Sequence, residues 1–185
     1  MNFKYETDRL ILRTCSRNEG RMVYRFYQNN INDFALYEPI DKKAARSLAY
    51  FEKILDIENE NFLDGYSYRY YIFERSNPFR IIGTVSFRDL EYAKYLASAR
   101  IGYKIDRGFR RMGYAREALS AILDAVFLGE KLHRIEATVL PENEPSCRLL
   151  EGLGFKREGY LRQSIKLNGL WRDHLLYALL NPYQI

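Results

Sequence analysis

The spacing of apolar residues changes character twice along this chain, and those changes delimit the expected helices and strands. Residues 9–13, Arg-Leu-Ile-Leu-Arg, predict a short strand. Ser16-Arg17-Asn18-Glu19 then matches the S-x-x-E capping box that opens a helix, with Met22, Val23, Phe26 and Tyr27 turned to the core. Glu38-Pro39 interrupts the chain, and Ala44, Ala45, Leu48, Phe51 and Leu55 recur at helical spacing, predicting a second helix over residues 41–60.

From Tyr68 the pattern becomes that of strands. Residues 68–75, 80–88 and 96–105 are rich in aromatic and β-branched side chains, with Ser76-Asn77-Pro78 as the first turn, so an antiparallel meander is expected. Residues 113–129 return to helical spacing through Ala115, Ala118, Leu119, Ile122, Ala125 and Val126, with Gly129 suited to end the helix. Residues 133–140 alternate Ile135, Ala137 and Val139 against Arg134, Glu136 and Thr138, a strand signature. Strand, helix and strand in succession form a crossover, which sets 96–105 parallel to 133–140. Asn143 is placed to cap a helix through about Leu153, Gly154 to terminate it, and Asn168-Gly169 to join strands 160–167 and 170–180 as a hairpin. The fold class is therefore α/β with a mixed sheet, in a single domain over residues 1–185.

Composition narrows the function without choosing it. With 47% hydrophobic and 29% charged residues the chain is globular, and its 16 Tyr and 11 Phe are read as core packing. A net charge of +5, dispersed along the chain, does not announce a DNA binder but suits a polyanionic ligand. Cys15 and Cys147 lack metal or disulfide spacing, no long apolar run suggests a membrane span, and the N-terminus carries no signal-like segment; a cytoplasmic protein is expected.

The most informative stretch is Arg107-Gly108-Phe109-Arg110-Arg111-Met112-Gly113-Tyr114-Ala115-Arg116, between a strand and a helix. A helix start leaves amide N–H groups unpaired and carries positive partial charge, so it holds an anion wherever small residues let one approach. Gly108 and Gly113 have P-loop spacing, yet Tyr114 and Ala115 stand where that motif needs Lys and Ser or Thr. The loop therefore fits a diphosphate that is held intact, and the bland alternative is an arginine-decorated surface loop.

A second motif, Asn143-Glu144-Pro145-Ser146-Cys147-Arg148-Leu149-Leu150-Glu151-Gly152-Leu153-Gly154-Phe155, follows the next strand. R-x-x-G-x-A followed at this separation by N-x-x-S-x-x-L-L-x-x-L-G-F resembles the general amine N-acetyltransferase (GNAT) superfamily. Thr7-Asp8-Arg9-Leu10-Ile11-Leu12-Arg13 is similar to the opening of its ribosomal-protein N-terminal acetyltransferase branch. Glu158-Gly159-Tyr160 and the ending from Asn168-Gly169 to Asp173-His174 extend the likeness over nearly the whole chain.

The resemblance implies a largely antiparallel mixed sheet splayed into a V, about four flanking helices and acetyl-CoA in the gap, with no metal. It implies Tyr103, Lys104 and Ile105 as backbone partners of pantetheine, and Arg110, Arg111, Met112, Gly113, Tyr114 and Ala115 as the pyrophosphate cradle. Arg107 and Arg116 are either further phosphate contacts or solvated surface, and Asn143 is an N-cap that also meets the cofactor. Where many relatives have an acidic tyrosine this chain has Leu150, and Ser146 is either the hydroxyl beside the leaving thiolate or a residue that satisfies N–H groups in the first turn of its helix. Arg100 and Ile165 occupy positions where relatives carry a carboxylate base, and an arginine cannot accept a proton. Glu136, Glu158, Asp173 and His174 remain as candidate bases, beside a water chain or an amine that arrives neutral.

The implied partners are acetyl-CoA and a primary amine, either a protein N-terminus or a small amine such as a polyamine, an amino sugar or an amino-acid-like compound; a homodimer is compatible with this. Arg100 is also suited to read an acidic acceptor. The competing classes are a non-catalytic acyl-CoA-binding module and an RNA- or ribosome-surface binder.

Overall fold

The computed structural model describes residues 1–93 and 95–183. Its centre is an eight-stranded sheet in the order β1-β2-β3-β4-β5-β6-β8-β7. The strands are β1 (Lys4–Glu6), β2 (Leu10–Arg13), β3 (Tyr68–Glu74), β4 (Asn77–Ala93), β5 (Leu96–Ile105), β6 (Arg134–Val139), β7 (Lys156–Leu167) and β8 (Leu170–Leu180). All neighbours are antiparallel except β5 and β6. The crossover expected between those two is made by α3 (Tyr114–Glu130).

Helices α1 (Gly20–Phe34) and α2 (Leu48–Leu63) cover one face of β3 and β4, and α3 covers the other, where α4 (Glu144–Gly152) also packs. The alternation of side chains along a strand builds a core on each face. Tyr71 and Phe73 of β3 join Val23, Phe26, Phe51 and Leu55 on the α1–α2 side. Val85, Phe87, Ala99, Ile101 and Ile135 join Leu119, Ile122 and Val126 on the α3 side.

Local chemistry explains most boundaries. Glu19 accepts from the Ser16 amide at 2.9 Å, as the capping box requires, but residues 17–19 first form a 3-10 turn before α1 begins. The second predicted helix is shorter than expected: Asp41 caps the Lys43 and Ala44 amides, and extended Ser47 separates a 3-10 turn at Ala44–Arg46 from α2. Gly129 lies inside the last turn of α3, and the helix is ended by Lys131 in the left-handed conformation, φ 55°. Gly154, at φ 89°, does terminate the segment after α4, and the pair Asn168 (48°) and Gly169 (86°) makes the β7–β8 turn. β1 has no predicted counterpart; three residues are too few for a period to register.

Candidate functional site

β5 and β6 share only the rungs Ser98–Arg134, Ala99–Ile135 and Arg100–Glu136. Beyond them β5 follows β4 as far as the Ile105–Gly83 pair, and β6 follows β8 as far as Val139–Leu175. A gap opens in the middle of the sheet, as the V-shaped architecture demands. Which main-chain groups border it follows from alternation. The Ala97 carbonyl accepts from the His133 amide at 2.8 Å on the β6 side, whereas the Asp106 amide donates to Ile82 of β4 at 2.8 Å. Ile101 and Tyr103 therefore present their N–H and C=O to the gap.

Lys104 does not. Its main chain is turned to Thr84 of β4, and its ammonium is on the α1 side, paired with Glu38 and 3.3 Å from the Tyr27 hydroxyl. The expectation that its backbone borders the gap fails on this one-residue alternation. Ile105 has the right orientation, but its carbonyl accepts from Arg110 Nε at 3.2 Å.

At one end of the gap lies the arginine-rich loop. Asp106, 6% exposed, fixes its start: Oδ1 accepts from the Gly108 amide at 2.8 Å, and Oδ2 accepts from Asn30 Nδ2 at 3.1 Å. Asn30 Oδ1 in turn accepts from the Arg107 amide at 3.1 Å. The loop then turns through Arg111 at φ 63° and Gly113 at φ 81°, the latter being the N-cap of α3. No side chain caps that helix, so the amides of Tyr114, Ala115 and Arg116 have neither an intrahelical partner nor a capping oxygen.

The arginines divide by task. The Arg110 guanidinium is tied to Asp33 of α1, and Arg116 donates to the Gly152 carbonyl at 2.8 Å; both brace the loop. Arg107 and Arg111 are exposed. Arg9, which the sequence offered only as part of a strand motif, donates to the Met112 carbonyl at 3.1 Å and pairs with Glu117 at 2.6 Å, pinning the loop to α3. Its guanidinium also lies over the Tyr114 ring at 4.6 Å.

Across the gap stands the first turn of α4. Asn143 accepts from the Ser146 amide at 3.4 Å, so its capping role holds. Ser146 Oγ is 2.5 Å from the Tyr103 hydroxyl, a bond that joins β5 to α4 over the open part of the sheet. Burial pushes the Tyr103 phenol up to about 12, so it is a proton donor at neutral pH. Sequence reasoning used Tyr103 for its backbone alone; alternation along β5 from buried Ala99 and Ile101 was the available signal that its ring faces α4. Leu150, in place of a tyrosine, is fully buried in the core.

The four candidate bases occupy unlike places. Glu136 sits on the last shared rung, opposite Arg100, where the strands part; Arg134 Nε donates to it at 2.8 Å and Arg100 Nε lies 3.8 Å away. Glu158 is bound by Arg134, whose hydrogen bond holds the carboxyl below its usual range. Asp173 accepts from the Tyr160 hydroxyl and the Gln163 amide, both at 2.7 Å, at the irregularity in the β7–β8 ladder, and the tyrosine bond lowers its pKa. His174 is 2% exposed, with Nδ1 3.0 Å from Ser164 Oγ, and burial depresses its pKa. Only Glu136 of the four is at the mouth of the gap. Ile165 lies in β7, paired with Arg172.

Comparison with known proteins agrees with this geometry. Residues 9–156 match the acetyltransferase (GNAT) domain model. A probable N-acetyltransferase, YjcK of Bacillus subtilis, is 45% identical over 116 residues, which span 62% of this chain and 62% of that relative. The uS5-alanine N-acetyltransferase of Escherichia coli is 29% identical over 95% of this chain and 90% of its own length. The crystal structure of ribosomal-protein-S5-alanine acetyltransferase from Vibrio fischeri superposes with a TM-score of 0.91 at 25% identity, covering 98% of both chains. A gapped sheet, an uncapped helix at one end of the gap and a matching domain model converge on one assignment: this chain belongs to the GNAT family of acetyltransferases.

Proposed function

We propose that the protein transfers the acetyl group of acetyl-CoA to a primary amine, with a protein N-terminus as the acceptor. The observation that carries this reading is the gap between β5 and β6, bordered by unpaired main-chain groups and ending at the uncapped start of α3. The N–H and C=O of Ile101 and Tyr103 are suited to pair with the pantetheine amides, and the amides of Met112, Gly113, Tyr114 and Ala115 to hold the pyrophosphate. The relative that acts on ribosomal protein uS5 supports the choice of a protein N-terminus.

In the reaction the amine nitrogen attacks the thioester carbonyl, the new C–N bond forms, and the C–S bond breaks. Glu136 takes the proton lost by nitrogen, directly or through water, because it alone of the candidate bases lies where the strands separate. The Ser146 hydroxyl passes a proton to the departing thiolate as it takes one from the Tyr103 phenol 2.5 Å away, and Tyr103 recovers its proton from solvent. One of the gap-facing N–H groups of Ile101 and Tyr103 polarises the carbonyl as negative charge develops on its oxygen, while the other pairs with pantetheine.

Thiol release from acetyl-CoA is measured with peptides that begin with Ala or Ser and with a panel of polyamines, amino sugars and amino acids, and mass spectrometry locates the acetyl group. Acetylated peptide N-termini are expected; turnover restricted to small amines would replace the protein acceptor by a small one. Tight CoA binding with no thiol release on any acceptor would make the chain an acyl-CoA-binding module, and tight, steeply salt-dependent binding of bare RNA would point to the third class.

A further inference from the structure

On the α1–α2 face the sheet carries a row of charge of which the acetyl-transfer reading uses Glu136 alone. Strand register sets Arg88 of β4 directly opposite Arg100 of β5, and Arg100 opposite Glu136 of β6. Like charges directly opposite each other across two strands destabilise a sheet. Neither guanidinium is well satisfied. Arg88 is exposed and makes no hydrogen bond or ion pair among the described residues, and Arg100, 54% exposed, has only Asp89 at 3.6 Å and Glu136 at 3.8 Å, both beyond hydrogen-bond range.

The space beside the pair is open, with apolar walls from Ile54, Ile57 and Phe87 as well as polar ones. Two residues along β5, on the same face, is Gly102, which has no side chain and stands opposite Ser86. A cavity of about 200 Å³ lies between α2 and strands β3 and β4, lined among others by Glu58, Asn61, Ser67, Arg69, Ser86 and Arg88. Within it Glu58 is already bound, by Arg69 at 2.8 Å and by the Tyr71 hydroxyl at 2.9 Å. Lys104, the next cation along the face, is matched by Glu38. Arg88, at the cavity wall, has no acidic partner among the described residues, and Arg100 opposite it holds Asp89 and Glu136 only at 3.6 and 3.8 Å.

We propose that Arg88 and Arg100 form a carboxylate-reading subsite of the acceptor site, which selects amines that carry a carboxylate close by. The carboxylate is either the α-carboxylate of a free amino acid or an acidic side chain next to a peptide N-terminus. This rests on the acetyl-transfer reading, and a bound carboxylate relieves the repulsion between the two guanidinium groups while accepting charge-assisted hydrogen bonds from both.

The test compares matched acceptors. Thiol release from acetyl-CoA is followed with serine against ethanolamine, and with peptides beginning Ser-Asp against Ser-Asn. At low salt the carboxylated member of at least one pair is expected to show kcat/KM higher by about 10-fold or more, the scale of one charge-assisted hydrogen bond. The Arg88→Gln, Arg100→Gln double variant is expected to bring that ratio close to one. The pair that responds identifies the source of the carboxylate.

Equal efficiencies within both pairs, or a preference that survives the double variant, overturn the subsite. A second measurement needs no turnover: the CoA-loaded protein is titrated with N-acetyl-Ser-Asp and N-acetyl-Ser-Asn peptides and with N-acetylserine and N-acetylethanolamine. Equal affinities within both pairs overturn the arginine assignment. A carboxylate preference that the double variant abolishes sustains it even if no acceptor is turned over, a result that would overturn the acetyl-transfer reading alone.

Discussion

Replacing Gly113 separates the geometry of the loop proposed to hold the pyrophosphate from its electrostatics. Gly113 is the N-cap of α3 at φ 81°, and a Cβ built on it lies 3.3 Å from Arg9 Nη2, the end of a side chain with room to move. Gly113→Asn adds bulk in a conformation that Asn tolerates among L-residues, at a cost of about 1 kcal/mol in stability. Gly113→Asp has nearly the same shape but sets a carboxylate beside the proposed diphosphate. For a carboxylate about 6 Å from about two phosphate charges, at an effective dielectric of about 40 between the surface and bulk limits, the repulsion is about 3 kcal/mol. That is roughly a 100-fold loss of affinity beyond whatever the Asn variant loses.

Calorimetric titration with acetyl-CoA reads both variants, at low salt and at high salt, where screening should narrow the difference. Thermal melts should differ little between them, since an acidic group at a helix N-terminus is mildly stabilising. Equal acetyl-CoA affinity for the Asp and Asn variants would refute the placement of the pyrophosphate at this helix start.

Ser146→Ala should lower kcat by about 10-fold or more with little change in acetyl-CoA affinity, and Tyr103→Phe should act in the same direction; full turnover in both would reduce their 2.5 Å bond to a structural contact. Asn30→Ala removes the buried donor to Asp106 and should cost about 2 kcal/mol, seen as a Tm fall of roughly 4–8 °C with weaker acetyl-CoA binding; an unchanged melt would show that Gly108 and Arg80 suffice for Asp106. His174 has a folded pKa held below its ordinary 6.5 by burial, so its contribution is present above about pH 6.5 and is lost as pH falls below it. Urea unfolding between pH 8 and pH 5 should show that decline, and His174→Gln should flatten it; identical slopes would show that other groups govern acid stability.

What could be read in the sequence was whatever repeats locally or binds through the backbone. Ser16-x-x-Glu19, Asn143 as a cap and the Asn168-Gly169 turn each express a constraint that a few adjacent residues satisfy. The loop before α3 was legible as a candidate anion site for the same reason, since glycine and small residues at a helix start leave its amides open. Partnerships between distant segments were not. Asn30 and Asp106 are 76 residues apart, and nothing in an α1 position marks a side chain that will hold a loop so distant in sequence. Arg9 and Arg110 looked like members of motifs, yet their guanidinium groups brace Glu117 and Asp33. The Arg88–Arg100 pairing depends on strand register, which shifts just beyond it between Arg88 and Glu91. The end of α3 escaped because Lys131 takes a left-handed conformation that composition does not advertise.

Within the sheet, three shared rungs and the bond from the His133 amide to Ala97 stitch the first five strands to the last three. A molecule lying in the slot would act as a strand, supplying the rungs the polypeptide withholds, and the fabric of the sheet would then run unbroken through something that is not protein. Such an arrangement asks little of the side chains beside it. Exchanges at Ile101 or Tyr103 alter the walls, but the N–H and C=O groups between them belong to every residue except proline. Proline at either position is therefore the substitution the slot should tolerate least, and one further residue of pairing between β5 and β6 would begin to sew it shut.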